Sequence, residues 1–190
     1  MDVPPRARSP GAFLDGSGAL AATGLETAGV AAMVRDSNAD DARLFGFESE
    51  LEVNLTYIPM AVRFKLDKCG IKLSLAEWQR LPQSWRRDLL QRRCDDACAV
   101  ADYRRILCSL VRECVGTEPA AIVTAEHPRW SDAEIPEEVV IAAAAKGVPL
   151  PSAARWRALT ALERFALLKL SRKGHDHRNL ELALREFGLL

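Results

Sequence analysis

Two stretches of this chain are spaced alike, and that spacing limits what it can fold into. The first begins at Ile58-Pro59, has Val62 four residues after the isoleucine and reaches Gly70 twelve residues after it. The second begins at Ile135-Pro136, has Val139 at the same offset and reaches Gly147, again twelve on. After one inserted residue, Trp78, Leu81, Arg86, Leu89 and Leu90 correspond to Trp156, Leu159, Arg164, Leu167 and Leu168. Proline fits the first helical position, where its missing N–H has no intrahelical use. Glycine fits the position just past a helix, where the backbone turns left-handed. The pattern predicts helices over 59–69 and 136–146. Helices this short are marginal alone, so each must be buried against neighbours.

Each stretch continues as a hairpin. Ser74-x-x-Glu77 is a capping box that starts a second helix before Trp78, and Thr160-x-x-Glu163 is another. Further starts are predicted near Ser152 and Pro82. Between the two stretches, Val100, Tyr103, Leu107, Leu110, Val111 and Cys114 form an amphipathic stripe, which predicts a longer helix over 96–115 ended by Gly116. A last helix is expected over 179–187. No run has the two-residue alternation of a half-buried strand apart from Leu51-Glu-Val-Asn-Leu55, which fits a helical turn equally well. The expected fold is all-α, an irregular bundle of seven to nine short helices with two similar hairpin repeats at 58–93 and 135–172. An acidic connector, 117–134, precedes the second repeat. The predicted core includes Val62, Leu66, Trp78, Leu89, Val139, Trp156 and Leu167.

Composition narrows the function. Lysine plus arginine and aspartate plus glutamate number 26 each, so the formal charge is zero, which argues against a uniformly basic nucleic-acid binder. The zero is patterned: 63–93 carries +6 and 155–190 carries +4, while 36–52 and 117–138 carry −5 each. Folding either cancels these blocks against one another or leaves a basic face for an acidic partner. No apolar run is long enough to span a membrane. Ala, Gly, Ser, Pro and Thr fill 20 of the first 35 positions, and residues 1–40 are expected to form a disordered extension to one helical domain over 41–190. Five cysteines with no secretory signal point to the cytoplasm and reduced thiols.

Candidate sites are sparse. Cys94-x3-Cys98 could place two thiols on one helical face, but no second pair completes a zinc site. His175-Asp176-His177 follows Gly174 in a loop. Trp85 and Trp130 lie outside the matched positions and are candidate exposed anchors for a partner. No nucleophile elbow, P-loop, dinucleotide fingerprint or HExxH is present, so no catalytic residue, metal or cofactor is expected.

Several blocks carry a family resemblance. They are Phe45-Gly-Phe47-Glu48, Ile58-Pro59-Met60-x-Val62-Arg63-x-Lys65-Leu66-Asp67, and Gly70-Ile71-Lys72-Leu73-Ser74-Leu75-x-x-Trp78. Towards the carboxyl end come Trp156-x-x-Leu159, Arg164-Phe165-Ala166-Leu167-x-Lys169-Leu170-Ser171-Arg172, His175 with Asn179, and Glu186-Phe187-Gly188-Leu189. Over roughly 45–190 the chain resembles the nitrate reductase-associated protein family. Members are encoded near assimilatory nitrate reductase in bacteria and are linked to obtaining active enzyme. The resemblance therefore implies a non-catalytic accessory protein that binds nitrate reductase and assists its maturation or stability. Tyr57 departs from relatives that often carry cysteine there. Arg63, Lys65, Asp67 and Lys72, charged residues within the shared blocks, are partner-contact candidates, with Trp85 and His175 beside them. The opposing expectation is that Asp67 and its basic neighbours form ion pairs between the repeats. Two other functions stay open: a metal or cofactor carrier using the cysteines and the His175 loop, and a helical nucleic-acid-binding regulator.

Overall fold

The computed structural model describes residues 42–51, 54–125, 128–172 and 178–190. Eight α-helices account for most of them: α1 Met60–Cys69, α2 Leu75–Arg80, α3 Gln83–Gln91, α4 Ala97–Val115, α5 Glu137–Ala145, α6 Ala153–Ala158, α7 Ala161–Leu170 and α8 Arg178–Glu186. Two 3₁₀ turns, Gly46–Leu51 and Arg129–Ser131, complete the helical elements. The architecture is all-α apart from one small ladder.

The punctuation works as its chemistry dictates. Ser74 accepts the Glu77 N–H at 3.2 Å while Glu77 accepts the Ser74 N–H at 2.6 Å, closing the box at the start of α2. Thr160 and Glu163 do the same for α7 at 3.2 and 2.8 Å. Asp96 caps α4 through the Ala99 N–H at 2.8 Å, and Ser152 caps α6. Pro59 and Pro136 sit one position earlier than expected. Both have extended backbones and stand as N-caps rather than as first helical residues. A proline N-cap has no side-chain acceptor, so the free N–H groups of α1 need another partner. Glu48 supplies it: its buried carboxylate accepts the Met60 N–H at 2.8 Å and the Phe45 N–H at 3.3 Å.

The absence of strands needs correction. Ile71–Lys72 (β1) and Ala120–Ala121 (β2) pair antiparallel, Ile71 with Ala121 and Lys72 with Ala120. Two residues are too few to show an alternation. The ladder exists because Gly70, at φ +66°, turns the chain out of α1 and lets the connector approach. The Ile122 N–H donates to the Gly70 carbonyl at 2.9 Å.

The helices pack around α1 and α7, which lie against each other. α1 also touches α3 and α4, and α7 also touches α5, α8 and the 3₁₀ turn at Arg129–Ser131. Ile58, Val62, Leu66 and Cys69 are buried as one stripe of α1 and its approach. Trp78, Leu89, Val139, Trp156 and Leu167 are fully buried. Two apolar clusters result. One is built on α1–α4 with Phe165 from α7, and the other on α5–α8. Trp130 packs against both clusters. Its ring meets Phe64 at 5.6 Å and Phe165 at 5.2 Å in edge-on geometry, so it is a wedge and not the exposed anchor expected of it.

Two carbonyls are clasped in the same manner. Trp78 Nε1 and Arg86 Nη1 donate to the Leu55 carbonyl at 2.7 and 2.8 Å. Trp156 Nε1 and Arg164 Nη1 donate to the Asp132 carbonyl at 3.1 and 3.3 Å. Leu55 and Asp132 each lie three residues before the Ile-Pro pair. Leu55 is also a non-glycine residue in the left-handed region, at φ +47°, a conformation that costs about 1 kcal/mol and is held by the two donors.

Candidate functional site

The basic side chains do not all seek carboxylates. Short helices expose many carbonyls at their ends, and cations take them. Lys65 Nζ donates to the carbonyls of Leu90 and Arg92 at 2.6 and 2.8 Å, closing the carboxyl end of α3. Lys68 donates to the Cys94 carbonyl at 3.0 Å, and Arg104 donates to the carbonyls of Cys69 and Gly70. A carbonyl satisfies a cation's hydrogen bond without cancelling its charge. Two acids of the 117–138 block are engaged locally, Glu118 by Arg112 and Glu138, in the first turn of α5, by Arg129.

Lys65 is therefore corrected from a partner contact to a residue of the fold. It is 1 % exposed and its ammonium faces inward, so it presents no charge to a partner. Asp67 and Lys169 form the cross-repeat ion pair: Lys169 Nζ donates to both carboxylate oxygens of Asp67, at 3.1 and 2.9 Å, joining α1 to α7. Arg63 is turned so that its Nε donates to the Ile58 carbonyl at 3.0 Å. Lys72 is exposed on β1, and Trp85 is 39 % exposed on α3. His175 lies outside the described residues. Tyr57 is exposed.

Arg63, Asp67 and Lys72 line one recess, and Lys169 and Arg172 join them from α7 and its end. Its volume is about 280 Å³, and its apolar walls include Ile58, Leu66 and Ile71. Four cations and one carboxylate thus line the recess, and Arg63 also feels Glu48 from outside its lining. Of these charged residues, Arg63, Asp67 and Lys72 are the candidates expected from sequence. Lys169 and Arg172 sit about a hundred residues away, although both belong to the shared block that includes Arg164. A second hollow of about 230 Å³ adjoins the recess, shares Asp67, Lys169 and Arg172 with it, and is floored by Trp130 and Phe165. Another hollow, of about 510 Å³, is a wide opening around Arg92 and Arg93. There the cations are already paired with Asp88, Asp95 and Asp96, which leaves little charge for a ligand.

The electrostatics of the recess follow first from burial and then from neighbouring charges. Burial lowers the Lys169 ammonium from its ordinary value, the bonds to Asp67 raise it again, and the charges of Arg172 and Arg63 lower it further. Burial likewise lowers the Arg63 guanidinium, countered by Glu48 and Asp67. Burial raises the Glu48 carboxyl, although the two N–H donors pull it back.

The cysteines are arranged differently from the expected pair. Cys94 is buried ahead of α4 while Cys98 is exposed in its first turn, so the two do not share a helical face. Cys94 Sγ instead lies 3.9 Å from Cys69 Sγ, both as free thiols. The contact with Cys94 and burial together push the Cys69 thiol far up, which keeps it protonated. Among the described residues, no group of three or more His, Cys, Asp or Glu side chains could hold a metal ion.

Comparison with known proteins places these residues in a family context. The model of the conserved nitrate reductase-associated protein family matches residues 44–187. No curated protein and no solved structure matches the chain. Among the described residues, no helix is long and apolar enough to cross a membrane.

Proposed function

The chain belongs to the nitrate reductase-associated protein family, and from that premise we propose that it is a non-catalytic accessory protein of nitrate assimilation. It binds nitrate reductase in the cytoplasm and assists the enzyme's maturation or stability. The observation that carries this reading is the family match across residues 44–187 of the 190. The arrangement of charge supports it. Arg63 and Lys72 stand with Arg172 at one recess, and an excess of cations there suits contact with an acidic surface.

Two measurements test the proposal. Affinity capture of nitrate reductase by the purified protein should succeed at low salt and weaken at high salt, because exposed charges are screened beyond about 8 Å at physiological ionic strength. No association with apo- or mature enzyme under either condition overturns it. In cells lacking the protein, normal reductase polypeptide with low cofactor content means maturation. Loss of the polypeptide itself means stabilisation.

A further inference from the structure

The recess between α1, β1 and α7 has a property that partner contact does not require. Its cations converge from three elements onto one concave space. Arg63 comes from α1, Lys72 from β1, and Lys169 and Arg172 from the end of α7. Asp67 is the one carboxylate among them, and both its oxygens are taken by Lys169. Lys72 and Arg172 have no ion pair among the described residues. The apolar walls of Ile58, Leu66 and Ile71 lower the local dielectric and strengthen what the cations can do.

Size selects the class of ligand. At about 280 Å³ the recess lies below the roughly 300–1,000 Å³ of sites that hold drug-sized molecules. It has room for one small ion with several waters, each occupying about 30 Å³. We propose that this recess binds a small inorganic oxoanion, held by Arg63, Lys72 and Arg172 and limited by the carboxylate of Asp67. Burial is the main reason the Lys169 ammonium is lowered, and the charges of Arg172 and Arg63 add to it in the same direction. The site is a property of the isolated chain, so it stands or falls apart from any association with the reductase.

Titration of the full chain with sodium nitrate, sulfate and phosphate, at ionic strength held constant with chloride, tests it by calorimetry and by amide NMR. Saturable binding of at least one oxoanion is expected, with shifts concentrated at Ile71–Leu73 and Lys169–Arg172. Lys72→Gln and Arg172→Gln should each weaken binding roughly ten- to hundredfold, the worth of a charge-assisted hydrogen bond. Arg80→Gln, on the exposed side of α2, should leave it unchanged. Asp67→Asn should tighten binding, a gain that misfolding cannot produce. Shifts that do not saturate, or that chloride reproduces, overturn the proposal. So does an unchanged affinity in Lys72→Gln, Arg172→Gln and Asp67→Asn together.

Discussion

Replacing Lys65 by methionine tests whether the buried ammonium holds the fold together. Methionine keeps the length and most of the volume of the side chain and removes only the donor. In the native protein that donor serves two carbonyls, Leu90 at 2.6 Å and Arg92 at 2.8 Å, at the end of α3. A buried carbonyl left without a partner costs about 1–3 kcal/mol, so the two together lose roughly 2–6 kcal/mol. Against this, the variant no longer takes an ammonium out of water, a relief of several kcal/mol at most. The net expectation is a loss of up to about 2–3 kcal/mol, because the stem of Lys65 is buried either way and the Leu90 carbonyl, unlike that of Arg92, lies in the buried interior. For a chain of this size that is about 5–10 °C in Tm. Urea unfolding gives the free energy, and hydrogen exchange at the last turn of α3 locates the loss. If Lys65→Met is as stable as the wild type, or more so, the carbonyls do not need the ammonium and the reasoning fails. A folded Lys65→Met protein should still bind nitrate reductase, since Lys65 faces inward.

Three further outcomes follow from the same contacts. Gly70→Ala should cost about 1–3 kcal/mol, because φ is +66° and a Cβ would stand 3.0 Å from the Ile122 carbonyl oxygen; thermal unfolding measures it, and a neutral substitution would refute the close approach. In native protein treated with iodoacetamide, mass spectrometry should find Cys98 alkylated first, with Cys69 and Cys94 modified only on unfolding; early labelling of Cys69 would contradict its burial. Because the Glu48 carboxyl is raised, the folded state binds its proton more tightly than the unfolded chain does. Wild-type stability relative to Glu48→Gln should therefore rise as pH falls from neutrality towards 4.5, and a flat or falling difference would refute the shift.

How much of this was legible depended on how local each feature is. Helix ends were, because Ser74, Thr160, Gly70 and Gly147 act on their own neighbours within a few residues. The apolar stripe of α1 was legible for the same reason. Lys65 was not, because its target carbonyls lie 25 and 27 residues away, and periodicity says nothing about which cations point inward. The recess was half legible. Arg63 and Asp67 sit one helical turn apart on α1, but Lys169 and Arg172 join them only through the packing of α7. The contact of Cys94 with Cys69 is not legible because the two lie 25 residues apart and meet only through packing, while Cys94 stands ahead of the helix predicted from residue 96. The wedge of Trp130 gave no signal, since one aromatic residue in an acidic connector fits an exposed anchor as well as a buried one.

Trp130 changes what kind of object the two hairpins make. In sequence, residues 117–134 only tether one hairpin to the next. In space, Trp130 presses on Phe64 from α1 and on Phe165 from α7, beside the Asp67–Lys169 pair that joins the same two helices. A chain nicked near Gly116 would keep Trp130 on its carboxyl fragment while the ring still rested on Phe64 of the amino fragment. The two pieces are expected to stay associated without a covalent link, which gel filtration of the nicked protein would show.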